Sequence, residues 1–219
     1  MNKKIGIVAA TQMEIAPILN KDLPANVKTC ITGIGTAATT YNLLLFIQNE
    51  KPDFLIQAGI AGCFDTKIPL SSFFVIEKDC FADLGVMENN KWVDMFDLGL
   101  IGKDSKPYQN TWLINKTQTS IFKKEQRVTG ITVNEITTSA GKNNSWLHNY
   151  EATLESLEGA AFHYVCLMQG IPFLQVRTVS NYVGERDKNN WETEKAILHL
   201  NKKLHDIVGN FQNGNILCK

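Results

Sequence analysis

Two carboxylates and one amide have the types and positions to do chemistry. In Leu157-Glu158-Gly159-Ala160-Ala161 an acidic residue stands where a run of small residues begins an apolar helix. One helix and one strand later, Val176-Arg177-Thr178-Val179-Ser180-Asn181 closes on a polar amide. A carboxylate accepts two hydrogen bonds and so suits the vicinal hydroxyls of a sugar, while an amide offers a donor and an acceptor to a heterocycle. On spacing alone each has a plainer reading: Glu158 as a first-turn acid facing the helix dipole, and Asn181 as the end of a strand. A second acid, Glu14, follows the apolar opening Ile5-Gly6-Ile7-Val8-Ala9-Ala10. Glu14 and Glu158 lie far apart in the chain, so only tertiary structure can bring them together.

The elements that must do so alternate in kind. Apolar runs predict strands over 5–9, 27–32, 54–57, 73–77, 128–133 and 173–179. Most are continuously apolar instead of alternating, as strands covered on both faces are. Helix-period stretches predict helices over 13–19, 36–48, 111–123, 158–168 and 191–211. The expectation is α/β: one domain over 1–219 with a mixed, mainly parallel central sheet flanked by helices, and a frayed polar tail from 212. The stretch 83–110, holding Trp92, Met95, Phe96 and Leu98, reads as a long excursion that either covers an active site, its own or a neighbour's, or projects as a solvent-facing hairpin.

Composition excludes several classes. A chain of 219 residues, 44% hydrophobic, can bury one sizeable core. Lys plus Arg total 22, as do Asp plus Glu, so no basic excess points to nucleic acid or a membrane surface. The basic and apolar start resembles a signal peptide, but Thr11, Gln12 and Glu14 cut the apolar run short, and it reads as a first strand. No run is long enough to span a bilayer. Cys30, Cys63, Cys80, Cys166 and Cys218 are odd in number and scattered, which argues against a disulfide framework and against a zinc site. A cytoplasmic protein with reduced thiols and no metal is expected.

Gly33-Ile34-Gly35-Thr36-Ala37-Ala38 matches a dinucleotide fingerprint, yet Asp53, the acid at the usual distance, precedes its strand and cannot reach a ribose from there. The glycines are read instead as a tight turn beside a sugar pocket. His163, inside an apolar helix, is read as a core residue.

The block from Ser156 to Asn181, the opening strand with Glu14, and Ala58-Gly59-Ile60-Ala61-Gly62 together resemble the purine nucleosidase and nucleoside phosphorylase superfamily, from the first strand to about Val208. Within it, Ser180-Asn181-Tyr182-Val183-Gly184-Glu185-Arg186-Asp187 followed by Trp191, and Ala82-Asp83-Leu84-Gly85, resemble the futalosine hydrolase family. The resemblance implies a purine nucleoside as the small-molecule substrate, water as nucleophile, no cofactor and a homodimer. It implies that Glu14 orients and deprotonates water, that Glu158 grips the ribose hydroxyls, and that Leu157, Ile60, Ala61, Gly62 and Ser180 line the substrate site. In adenine-specific relatives an Asp follows the Ser. Asn181 stands there instead, and its NH2 suits N7 and O6 of hypoxanthine, both acceptors.

Phosphorolysis ranks below hydrolysis, because arginine occurs only at Arg127, Arg177 and Arg186 and the opening loop supplies a carboxylate that would repel phosphate. Several features stand outside the pattern or are weaker. Leu157 replaces the usual Met, and Ser156 replaces a second Glu. Glu155, one residue away on a strand, would face away and takes no role. By analogy Thr137-Thr138-Ser139-Ala140-Gly141 lends backbone groups to the purine edge. Arg186 is read first as the partner of Glu185 or Asp187, and second as a receptor for a substrate carboxylate; Trp191 is read as helix-start packing. The alternatives are a methylthioadenosine or adenosylhomocysteine nucleosidase, against which Asn181 speaks, and a catalytically silent nucleoside-binding protein.

Overall fold

The computed structural model describes residues 3–89, 91–117 and 125–212. Its first strand, β1 (Ile5–Ala9), is buried along its whole length and leads into α1 (Gln12–Leu19). There follow β2 (Val27–Ile31), α2 (Thr36–Glu50), β3 (Phe54–Cys63) and β4 (Phe73–Asp79). A hairpin of β5 (Gly85–Glu88) and β6 (Lys91–Asp94) comes next, then β7 (Leu113–Ile114), β8 (Arg127–Thr132), α3 (Ala140–Tyr150) and β9 (Leu154–Ser156). The chain ends with α4 (Gly159–Gln169), β10 (Phe173–Tyr182), a 3-10 turn (Lys188–Asn190) and α5 (Thr193–Gln212).

The sheet is mixed and mainly parallel. β1 runs parallel to β2 and β3, β3 to β10, β4 to β8 and β8 to β9, whereas β10 with β4, β3 with β9 and β4 with β7 are antiparallel. Because β3 pairs with both β9 and β10, the strands β3, β10, β4, β8 and β9 close into a ring, with β1 and β2 extending from it. Helices cover both faces. One core joins Ile7, Phe54, Ile56 and Val176 to Ile15 and Ile18 of α1 and to Leu200, Leu204 and Ile207 of α5. The other joins Val8, Leu55 and Phe173 to Leu43 and Ile47 of α2 and to Phe162 and Val165 of α4. The i, i+4 spacing of Leu43 and Ile47, and of Leu200 and Leu204, sets those faces.

Apart from β3, which runs on past Gln57 to Cys63, the expected elements are present with three differences. The helix expected over 111–123 does not form over 111–117: Trp112 bridges to Gln109 and Leu113–Ile114 pairs with β4, and the remainder lies outside the described residues. Leu113, at 0% exposure, anchors this stretch, so its apolar residues belong to a strand and not to a helical stripe. Second, α3 and β9 occupy a region where the sequence predicts no elements. α3 is polar, with Trp146 its buried anchor, and β9 has three residues. Third, the excursion over 83–110 contains the hairpin but lies against its own domain. Trp92 Nε1 donates to Tyr150 Oη at 3.0 Å, and Phe96 and Ile101 pack beside Tyr108 and Leu113. None of its described residues lines the cavity at the carboxyl ends of β1, β3 and β10.

Candidate active site

The site residues singled out from the sequence all line one cavity of about 310 Å³: Glu14, Ile60, Ala61, Gly62, Leu157, Glu158, Ser180 and Asn181. It lies beyond the carboxyl ends of β1, β3 and β10, where open α/β sheets hold their ligands.

Glu14, 6% exposed, is held by three donors. Its Oε2 accepts from Thr11 N and from Thr11 Oγ1, both at 3.0 Å, and its Oε1 accepts from Ile60 N at 3.1 Å. These contacts pin the carboxylate between the start of α1 and β3 and leave lone pairs for one further donor. The backbone is fixed from the other side. Asn201 of α5 donates through Nδ2 to Glu14 O at 2.8 Å and accepts through Oδ1 from Ile18 N at 3.1 Å.

Glu158 is the residue before α4, but its side chain does not cap that helix. Other groups take the free amides: Gly159 N donates to Ser156 Oγ at 3.3 Å and Ala160 N to Thr132 Oγ1 at 2.7 Å. The Glu158 carboxylate turns instead into the cavity, where Oε1 accepts from Gly35 N at 3.0 Å. Gly35 presents that amide with φ of +87°, a conformation open to glycine and strained for other residues. The glycine turn is therefore part of the site, and Asp53 bonds to Lys4 N at the opposite end of the sheet. Burial raises the Glu158 pKa, Glu14 adds to the shift, and the Arg177 guanidinium opposes it.

Arg177 is 2% exposed, and its Nη2 donates to Gln57 Oε1 at 3.0 Å. A Cβ at Gly59 would overlap Arg177 Nη1 and lie 2.8 Å from Glu14 Oε1, so the absent side chain leaves the room that the guanidinium and the carboxylate share beside β3. A buried charge calls for a counter-charge, and here the cavity carboxylates supply it. Among the described residues Arg177 does not line the cavity, so it is not presented to an anionic substrate. Beneath α4, Asp79 at 0% exposure accepts from Cys80 N and Thr132 Oγ1 at 2.9 Å and from Gln175 Nε2 at 3.1 Å. Burial pushes its pKa up to about 6.

The orientation of the Asn181 amide follows from its neighbours. Nδ2 lies 3.0 Å from Tyr182 O, which can only accept, and Oδ1 lies 2.7 Å from Ser180 Oγ, which donates. The amide is thereby clamped, with its second Nδ2 hydrogen uncommitted among the described residues.

Three sequence expectations need correction. Glu155 faces the cavity, whereas strand alternation from Ser156 predicts that it turns away. Residues 137–141 do not line the cavity; their neighbour Ile136 does, while Ser139 caps α3 by accepting from Lys142 N. Arg186 has no ion pair among the described residues. Its guanidinium lies 5.8 Å from the Trp191 ring centre, and both line the cavity mouth. Glu185 and Asp187 satisfy local amides instead. His163 is a core residue as expected, fully buried with Nδ1 2.9 Å from Leu113 O and its pKa lowered by burial to about 4.

No three His, Cys, Asp or Glu side chains among the described residues group so as to hold a metal ion, and no helix among them is long and apolar enough to cross a membrane. An α/β sheet with paired carboxylates and an amide beyond its strand ends is a small-ligand site of the nucleoside-binding kind. The chain matches the Phosphorylase superfamily over residues 4–212 and belongs to it. It is 24% identical over 180 residues to the futalosine hydrolase of Thermus thermophilus, spanning 81% of this chain and 79% of the relative. Its fold is shared with a 5'-methylthioadenosine/S-adenosylhomocysteine nucleosidase from Colwellia psychrerythraea in complex with adenine, at TM-score 0.78 and 18% identity over 96% of each chain. It is shared equally with the futalosine hydrolase of Helicobacter pylori, at TM-score 0.77 and 18% identity over 96% of this chain and 99% of that one.

Proposed function

We propose that the chain hydrolyses the N-glycosidic bond of a 6-oxopurine nucleoside, futalosine, releasing hypoxanthine and dehypoxanthine futalosine for menaquinone biosynthesis. The observation that carries this reading is the Asn181 amide, clamped by Ser180 and Tyr182 where adenine-specific relatives carry an acid. Its free N–H meets the N7 and O6 acceptors of hypoxanthine, whereas a 6-amino group presents a donor there.

The reaction is a displacement at an oxocarbenium-like carbon. Glu158 accepts the ribose hydroxyls and its negative charge favours the sugar cation as C1′ to N9 breaks. The bond's electron pair leaves with the purine, where Asn181 stabilises the charge. Glu14 orients water toward C1′ and takes its proton, which the departing base recovers in the product. Arg186 and Trp191 at the mouth are positioned for the benzoate end of futalosine, a carboxylate on an aromatic ring. Burial of Arg177 supports hydrolysis over phosphorolysis, since a phosphate in the cavity would face carboxylates. A cytoplasmic homodimer is the expected setting.

The test is chromatography of the base released from futalosine, its 6-amino analogue, inosine and methylthioadenosine, each with and without phosphate. Hypoxanthine from futalosine, independent of phosphate, is expected. Adenine release would move the chain to the methylthioadenosine and adenosylhomocysteine nucleosidases, and no release at all would favour a binding protein.

A further inference from the structure

The mechanism above leaves one cavity carboxylate without work. Glu155 lines the pocket, is 8% exposed, and its Oε2 is shielded from solvent with no hydrogen-bond partner among the described residues. It caps no helix and forms no ion pair there. The charges nearest to it are Asp83, after β4, and Lys142 of α3, and Lys142 is already paired with Glu135 at 2.6 Å. A carboxylate withdrawn from water costs several kcal/mol unless something pairs with it. Among the described residues no partner recovers that cost, which burial expresses as a raised Glu155 pKa, and the partner is to be sought in the ligand.

The strand register shows where that partner sits. Gly62 of β3 pairs with Asn181 of β10 on one side and with Glu155 of β9 on the other. Directly paired residues project from the same face of a sheet. A Cβ on Gly62 would indeed lie 3.5 Å from Asn181 Nδ2. On the opposite face, Cys63 and Leu154 enter the core, so Glu155 points with Asn181. Two strand spacings, about 9.6 Å in all, separate the two backbones, and between them Gly62 lines the cavity without a side chain, with Val183 Cγ2 3.1 Å from where a Cβ would lie. A purine laid over Gly62 with N7 and O6 toward Asn181 turns its N1 edge to the other wall.

We propose that Glu155 accepts the N1–H of the 6-oxopurine through Oε2 and, with Asn181, determines the preference for 6-oxo over 6-amino bases. This rests on the 6-oxopurine reading of the site. A 6-aminopurine has a lone pair at N1, which an ionised Glu155 repels. Burial, reinforced by Asp83 and opposed by Lys142, pushes the Glu155 pKa up to about 7, so an N1–H donor also favours the ionised form that binds it.

The test compares wild type, Glu155→Gln and Glu155→Ala on futalosine and its 6-amino analogue, and wild type on N1-methylated futalosine. Glu155→Ala should lose about 10- to 100-fold in kcat/KM on futalosine, as for one hydrogen bond to a charged group, and Glu155→Gln, which keeps a carbonyl acceptor but not the charge, should lose less. In Glu155→Ala the ratio of 6-oxo to 6-amino turnover should fall at least about tenfold, and this ratio does not depend on the fraction of protein folded. Wild type should reject the N1-methyl substrate by a similar factor, an arm that requires no variant. An unmoved ratio in Glu155→Ala, or N1-methyl futalosine cleaved as fast as futalosine, overturns the assignment while leaving the 6-oxopurine reading intact. Adenine release by wild type overturns both.

Discussion

Replacing Asn181 by Asp reverses the hydrogen-bond polarity of the base site while barely changing its shape. In the structure the Tyr182 carbonyl sits 3.0 Å from Nδ2 and the Ser180 hydroxyl 2.7 Å from Oδ1. In Asn181→Asp an oxygen takes the place of Nδ2, faces that carbonyl and is tolerable only when it carries a proton. The one O–H is then divided between Tyr182 O and the purine, and O6 of hypoxanthine meets an acceptor. Losing a donor to developing negative charge costs about 2.7–4 kcal/mol, or about a hundredfold to a thousandfold in kcat. For a 6-amino nucleoside the same oxygen accepts from the amino group, a gain of about tenfold for one recovered hydrogen bond. The selectivity between the two substrates should therefore swing by about three orders of magnitude. The assay is kcat/KM for futalosine and its 6-amino analogue by chromatography of the released base, with thermal melts to confirm folding. A selectivity ratio within about threefold of wild type, less than a single hydrogen bond is worth, would refute the reasoning.

Glu14→Gln keeps the side-chain size but removes the base; kcat should fall about 10²- to 10⁴-fold with little change in KM, and a fall under about tenfold in single-turnover measurements would remove Glu14 from the chemistry. Arg186→Ala should raise KM about tenfold or more for futalosine, which carries a carboxylate, and leave inosine cleavage unaffected; equal effects on both substrates would return Arg186 to a structural role. Asp79 has its pKa raised from 3.8 to about 6, so the native state holds the proton more tightly than the unfolded chain. Stability should accordingly be greatest below about pH 4 for this group and fall by up to about 3 kcal/mol as pH rises to about 6. Asp79→Asn should abolish that slope in urea titrations between about pH 4 and about pH 7, and an unchanged slope would assign it to other groups.

The parts of the fold that are legible in the sequence are those where one physical signal dominates. β1 and β10 are apolar runs buried on both faces, and α2 and α5 carry their buried residues at helical spacing. The apolar run alone would end β3 at Gln57, but the strand continues to Cys63, because Gly59 and Gly62 look like a loop until Arg177, Glu14 and Asn181 fill the space above them. α3 has few strong helix formers and Gly141 near its start, so local propensity is silent and the burial of Trp146 decides. In the site, Glu14, Glu158 and Asn181 come from the resemblance to a family. Arg177 carries a signal of its own, beyond that resemblance: a charge in the middle of an otherwise buried strand needs a partner. Glu155 escapes for a different reason. Alternation places it opposite Ser156, yet both line the cavity because the strand ends at Ser156 and the chain turns into α4.

The Asn201 amide spans the Glu14 carbonyl and the Ile18 amide, the pair that would bond to each other in an unbroken helix. Pro17 lies between them, and a helix containing an internal proline tends to kink. The splint that steadies this turn arrives from α5, 187 residues after Glu14. During synthesis, then, Glu14 is made well before α5, and its backbone gains this support only once α5 has emerged and docked. Glu158, Asn181 and the rest of the cavity lining all precede α5 in the chain. Until α5 docks, the chain carries nearly every group of the site but lacks the contact that splints the turn bearing Glu14.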